Sequence, residues 1–166
     1  MSRTEIRLRA RSRRLATIAA VAFVFLVSTL LLETLGPGAV ALLHGAVNAE
    51  VARQTTDAAI AAFPAVFYLL GLWHARSALA ALADGGLFAD AAAAALDRVG
   101  KALAAGAFVG VAIIPTLSKF FGDDPGYVLA FDIGAAVLGV LGLVLVLFAD
   151  LFRRAGRLQS EMREII

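Results

Sequence analysis

The side chains able to do chemistry are few, and most are carboxylates at the edges of apolar stretches. Glu33 follows the uncharged run 15–32, Asp57 opens a second run, and Asp132 lies one turn into a fourth that starts near Val128. An ionisable group at membrane depth is costly and marks a proton or ion pathway, whereas at the interface it is merely solvated. Glu33 and Asp57 stand where solvation is cheap. Asp132 is deeper: it either pairs with Lys119 or Arg53, the two cations on its side, or belongs to a proton or cation site. His44 and His74 are the two histidines, and the spacing puts them at opposite surfaces, so they share no haem or metal. The chain has 0 cysteines, which excludes disulfides, thiol redox pairs and Cys-ligated zinc or iron–sulfur sites. It shows no HExxH, no Ser–His–Asp signature and no phosphate-binding glycine loop. No catalytic residue, metal or cofactor is therefore assigned.

The elements that position these groups follow from hydropathy. Hydrophobic residues make up 61% and charged residues 17% of 166 positions, and mean hydropathy is +0.86. A soluble domain carries about 25% charged residues, so the composition predicts an integral membrane protein. Residues 15–32 are uncharged, and 18 residues at 1.5 Å rise reach about 27 Å, the thickness of a hydrocarbon core. The run exceeds the apolar part of a signal peptide, and the nearest cleavage-like site, Val47-Asn48-Ala49, lies far beyond it, which favours a retained span. Spans are predicted near 15–35, 57–75, 102–118 and 128–149. Gly36-Pro37-Gly38 is expected to end the first, and 39–56 to form a short amphipathic helix. Asp57 is expected to cap the second span, and Asp90 to cap a helix that runs on into the third. Gly139 and Gly142 thin one face of the fourth and invite close approach of another helix. The predicted fold class is all-α: an integral membrane four-helix bundle with short amphipathic helices.

Residues 1–14 form an Arg-rich leader and 150–166 an amphipathic tail. Six basic residues lie in the leader, three in the middle loop (Arg76, Arg98, Lys101) and four in the tail (Arg153, Arg154, Arg157, Arg163), against Arg53 and Lys119 on the other side. This asymmetry predicts both termini in the cytoplasm. The leader suits anionic headgroups of the bilayer, although topology alone also explains it. A net charge of +2 gives no argument for direct binding of nucleic acid.

The segment DGGLFADAAAAALDRVGKAL resembles the signature of the bacterial membrane family called domain of unknown function 2975, at Gly86, Phe88, Leu96 and Gly100. The tail resembles that family's closing stretch at Ala155, Leu158, Glu161 and Ile166, while Ala92 stands where many members carry Asn. The resemblance covers roughly residues 60–166. It implies a four-span inner-membrane protein without an assigned activity. It also implies a regulatory partnership, because members are often encoded beside small helix-turn-helix repressors.

The residues and the resemblance together lead to an interaction protein of the bacterial inner membrane rather than an enzyme. Its expected contact surface is Gly86, Phe88, Asp90 and Arg98 in the middle loop with Arg157 and Glu161 in the tail. The alternative is a small oligomeric transporter or channel subunit that uses Glu33, Asp57 or Asp132. A homo-oligomer is compatible with either.

Overall fold

The computed structural model describes residues 3–45, 48–83, 89–121 and 132–164, and among these it holds helices and no strand. The elements are α1 (Arg3–Leu43), α2 (Ala49–Ala83), α3 (Ala89–Phe108), a π-helical turn (Val109–Ile113), α4 (Ile114–Phe121) and α5 (Ile133–Glu164). α3, the π turn and α4 form one continuous rod. Each of the four rods contains a stretch long and apolar enough to cross a membrane. The chain is an all-α, multi-pass membrane protein.

Several helix ends differ from the sequence reading. Gly36-Pro37-Gly38 does not stop the first helix, which runs through Pro37 to Leu43. Proline forfeits one hydrogen bond and its ring crowds the side chain before it; Gly36 has no Cβ to be crowded. The stop is Gly45, at φ +64, where its N–H donates to the Leu42 carbonyl (3.2 Å) and that of His44 to Val40 (3.1 Å). A left-handed glycine is a common way to close a helix. The expected amphipathic helix over 39–56 is therefore divided between the end of α1 and the start of α2. Asn48 caps α2, its side-chain oxygen accepting from the Val51 N–H at 2.9 Å. Asp57 is inside α2 and exposed, so it is not the cap. Asp90 is inside the first turn of α3 rather than ahead of it. The expected turns at 84–88 and 123–126 lie outside the described residues.

The leader and tail are helical continuations of α1 and α5. The π turn sits immediately before Pro115. Proline cannot donate to the carbonyl four residues back, and the local rewinding lets the Ile114 N–H reach Val109 instead. Gly110, in this turn, faces Pro64 of α2 with room for ordinary contact.

The rods pack antiparallel. On α1 and α2, Gly38 meets Thr55 and Phe23 meets Trp73, with ring centroids 5.3 Å apart. On α2 and α3, Gly71 meets Ala102 and Gly106 meets Tyr68; on α3 and α5, Gly100 meets Gly142 and Gly139 meets Ala107. α1 packs on α2, α2 on the α3 rod, and that rod on α5. The bundle is thus open, its helices in a row in chain order with α1 and α5 at the edges. Their exposed Leu, Val and Phe side chains suit a lipid surround. One end of the row carries the α1–α2 turn and is called the hairpin end below. The other carries most of the arginines and is called the basic end.

Candidate functional site

The three carboxylates of the sequence reading have three different settings. Asp132 is not one turn inside the last span. It precedes α5 and caps it, with Oδ1 accepting from the N–H groups of Gly134 (2.8 Å) and Ala135 (3.2 Å). Those donors are orphans of the helix start, and a carboxylate there also meets the positive helix end. The expected partner Arg53 is paired with Glu50 at 3.1 Å, and the side chain of Lys119 lies outside the described residues. Asp57 is exposed on α2.

Glu33 is different. It lies at the mouth of a groove of about 270 Å³ between α1 and α2, lined also by Leu26, Thr29, Leu30, Ala65, Tyr68 and Leu69. The Thr29 hydroxyl donates to the Phe25 carbonyl at 3.0 Å, which leaves its oxygen free to accept. The Tyr68 hydroxyl is sealed from solvent and has no hydrogen-bond partner among the described residues. An unpartnered buried hydroxyl costs about 1–3 kcal/mol of desolvation. Gly106 makes this placement possible, since a Cβ there would stand 2.7 Å from the Tyr68 ring. Glu33 forms no ion pair or hydrogen bond among the described residues.

At the basic end Asp97 joins two helices. Asp97 on α3 accepts from Lys101 at 2.8 Å, one turn along, and from Arg153 of α5 at 3.3 Å. Its side chain is 16% exposed, against 67% for Lys101. Arg154 pairs with Asp150 within α5 at 2.9 Å, and Arg76 lies over the Trp73 ring at 4.9 Å. Of the expected contact surface, Arg98 and Arg157 are exposed on α3 and α5. Gly86 and Phe88 lie outside the described residues, as do the side chains of Asp90 and Glu161.

The α3–α5 seam is made of small residues. Ala93, Gly100 and Ala107 face Ala135, Gly142 and Ala149, and all six are buried. Each set repeats every seven residues, the period that keeps one helix face on a partner. At Gly100 and Gly142 the backbones touch: a Cβ on Gly100 would lie 2.5 Å from the Gly142 carbonyl, and one on Gly142 would lie 2.6 Å from that of Gly100. Small residues allow such approach where lipid removes the hydrophobic drive between helices. The seven-residue repeat was the signal in the sequence for this seam. Gly139 and Gly142 were expected at a close contact, and they are there.

A family model described as "Protein of unknown function (DUF2975)" matches residues 48–166. The chain belongs to this family. No curated protein and no solved structure matches it. The DUF2975 match opens at Asn48, the cap of α2, and takes in α2 to α5; α1 precedes it. Within this DUF2975 chain the motif glycine at 100 has a physical role as the backbone contact of the seam. Leu96 is half-buried one turn before it, and Ala155 is exposed on α5.

His44 closes the α1 turn, its Nδ1–H donating to the Val40 carbonyl at 2.8 Å. His74 is near the basic end of α2, some 26 residues of helix or about 39 Å from that turn. The two do not share a site. Among the described residues no three His, Asp or Glu side chains gather as metal ligands.

Proposed function

We propose that this member of the DUF2975 family is a membrane anchor that docks a soluble regulatory protein at its basic end. The observation that carries the reading is the continuity of α5. Its 32 residues span about 48 Å, of which the uncharged part, 133–149, accounts for about 26 Å. The remaining turns project past the apolar layer as one helix with it. The Gly100–Gly142 contact and the Asp97–Arg153 pair lock this helix to α3 just below the projection. α1 extends at the same end through residues 3–14. Two rigid, Arg-rich helical extensions suit an acidic protein surface, because complementary charge steers and orients docking. The basic end then faces the cytoplasm of a bacterial inner membrane, as the distribution of Lys and Arg favours. A small helix-turn-helix regulator has the size and the compartment for this role.

Crosslinking in cells, identification of the captured protein and its reconstitution with the purified chain in nanodiscs test the reading. Deletion of residues 157–166, or Arg98→Glu, is expected to weaken binding of that protein at least tenfold while membrane insertion persists. Equal binding to the truncated chain refutes it. A proton- or cation-coupled flux in vesicles that is lost in Glu33→Gln and Asp132→Asn, and is indifferent to the deletion, establishes a transporter instead.

A further inference from the structure

We infer that the groove between α1 and α2 binds a single-chain primary alkylamine, its ammonium held by Glu33 and its chain lying along Leu30, Leu26 and Leu69. The first ground is charge. Glu33 is an exposed carboxylate at the edge of an apolar groove, without a counter-ion among the described residues, and a cation carried on an apolar chain is complementary to both features. The second is hydrogen bonding. An ammonium has three N–H donors and no acceptor. The groove supplies the Glu33 carboxylate and a free lone pair of Thr29.

The third ground is size. A volume of about 270 Å³ falls just below the range of about 300–1,000 Å³ typical of drug-sized pockets. It suits one alkyl chain rather than a polycyclic compound. From Glu33 to Leu26 the groove runs seven residues of α1, about 10 Å. The fourth ground separates a free amine from an aminophospholipid. In the lipid a phosphate stands between chain and ammonium, and no cation lines the groove to receive it. In an alkylamine the ammonium follows the chain directly, as Glu33 follows the apolar wall. This inference is independent of the docking proposed for the basic end.

The chain carries its own reporter. Trp73 is the single tryptophan, one turn beyond Leu69 on α2 and in contact with Phe23 of α1. A chain bound head-first at Glu33 points its end toward that ring. The experiment uses the full chain in phosphatidylcholine nanodiscs and follows quenching of Trp73 by 12-bromododecylammonium, 12-bromododecanol and 12-bromododecanoate. The ammonium is expected to quench saturably and to be displaced by unbrominated dodecylammonium. The alcohol and the carboxylate should give only the linear background of partition into lipid. Glu33→Gln is expected to weaken the saturable phase at least tenfold and Glu33→Asp to retain it. Ala65→Leu fills the groove, leaves the charge in place, and should abolish the phase. Nanodiscs containing phosphatidylethanolamine separate the two sources of ammonium: undiminished amine quenching supports the free amine, and competitive loss of it assigns the groove to the lipid and overturns the inference. Three headgroups that quench alike in the unaltered chain also overturn it, whatever the variants do.

Discussion

Gly100→Ala tests whether backbone contact holds α3 to α5. The new Cβ would lie 2.5 Å from the Gly142 carbonyl oxygen, 2.8 Å from a Val146 methyl and 3.0 Å from the Val146 nitrogen. Even a favourable carbon–oxygen contact between helices needs about 3.3 Å, so the rods must separate locally by about 0.8 Å. Two of the three obstacles are backbone atoms of a helix, which cannot yield one at a time. A gap of that size forfeits a quarter to a half of each dispersion contact along the seam, from Ala93 to Ala107. Overpacking of this kind costs roughly 1–3 kcal/mol. Replacing glycine within a helix returns up to about 1 kcal/mol. The expected net loss is therefore about 1–2 kcal/mol. Gly71→Ala is the matched control, since its Cβ would meet that of Ala102 at an ordinary 3.5 Å. Only the propensity gain remains there, so the change should be neutral or stabilising by up to about 1 kcal/mol. Reversible unfolding in mixed micelles measures both. The chain has 0 cysteines, so an Ala93→Cys, Ala149→Cys pair adds a clean crosslinking readout of the seam. If Gly100→Ala is as stable as Gly71→Ala, the seam does not depend on backbone contact and the packing argument fails.

Asp132→Ala should cost about 1 kcal/mol in thermal unfolding through loss of its cap, while Asp57→Ala stays within about 0.5 kcal/mol, as surface changes do; equal effects would contradict the capping role. Gly45→Ala should destabilise the α1–α2 turn by about 1–2 kcal/mol, because φ +64 is free for glycine and strained for alanine, and unfolding in the same micelles measures it. Reporter fusions at Gly45, Gly86, Gly126 and Ile166 should alternate outside, inside, outside, inside. Gly45 is the right first position because Gly38 is helical and faces Thr55; agreement between the first two fusions would refute the topology.

The four spans were legible because uncharged runs near 18 residues have few uses other than crossing a bilayer. Their ends were less legible. Pro37 looks like a stop in isolation, yet a proline costs a helix one bond and some crowding, and Gly36 removes the crowding. Asn48 and Asp132 both cap helices, but Asp57 and Asp90 have the same local look, and only the tertiary register selects among them. Gly139 and Gly142 could be assigned to one contact face from their spacing alone. That Gly100 and Ala107 are the residues opposite them could not be read, because a seven-residue repeat marks a face and nothing in one helix states where its neighbour is in register. The Asp97–Lys101 pair is a local spacing, whereas Arg153 joins it only after α3 and α5 are antiparallel. Tyr68 is an amphipathic aromatic inside the second apolar run, and nothing in that run says where its hydroxyl goes. That its hydroxyl is shut in follows from Gly106, a residue on another helix 38 positions later.

The row of helices in chain order bears on how the protein is made. In a closed bundle the first helix waits for the last, and the ring is incomplete until synthesis ends. Here α1 finds its partner in α2, α2 in the α3 rod, and that rod in α5. Each newly inserted helix emerges beside the surface it will occupy, and among the described residues the substantial helix contacts are those between neighbours in the chain. Such near-neighbour connectivity makes stability close to a sum of successive interfaces. The order of translation is thereby also the order of assembly, and a nascent chain ending at Ala83 already holds the complete α1–α2 interface. The costliest join, the Gly100–Gly142 seam, closes last, so the chain gains its most closely fitted contact only when the final helix has left the ribosome.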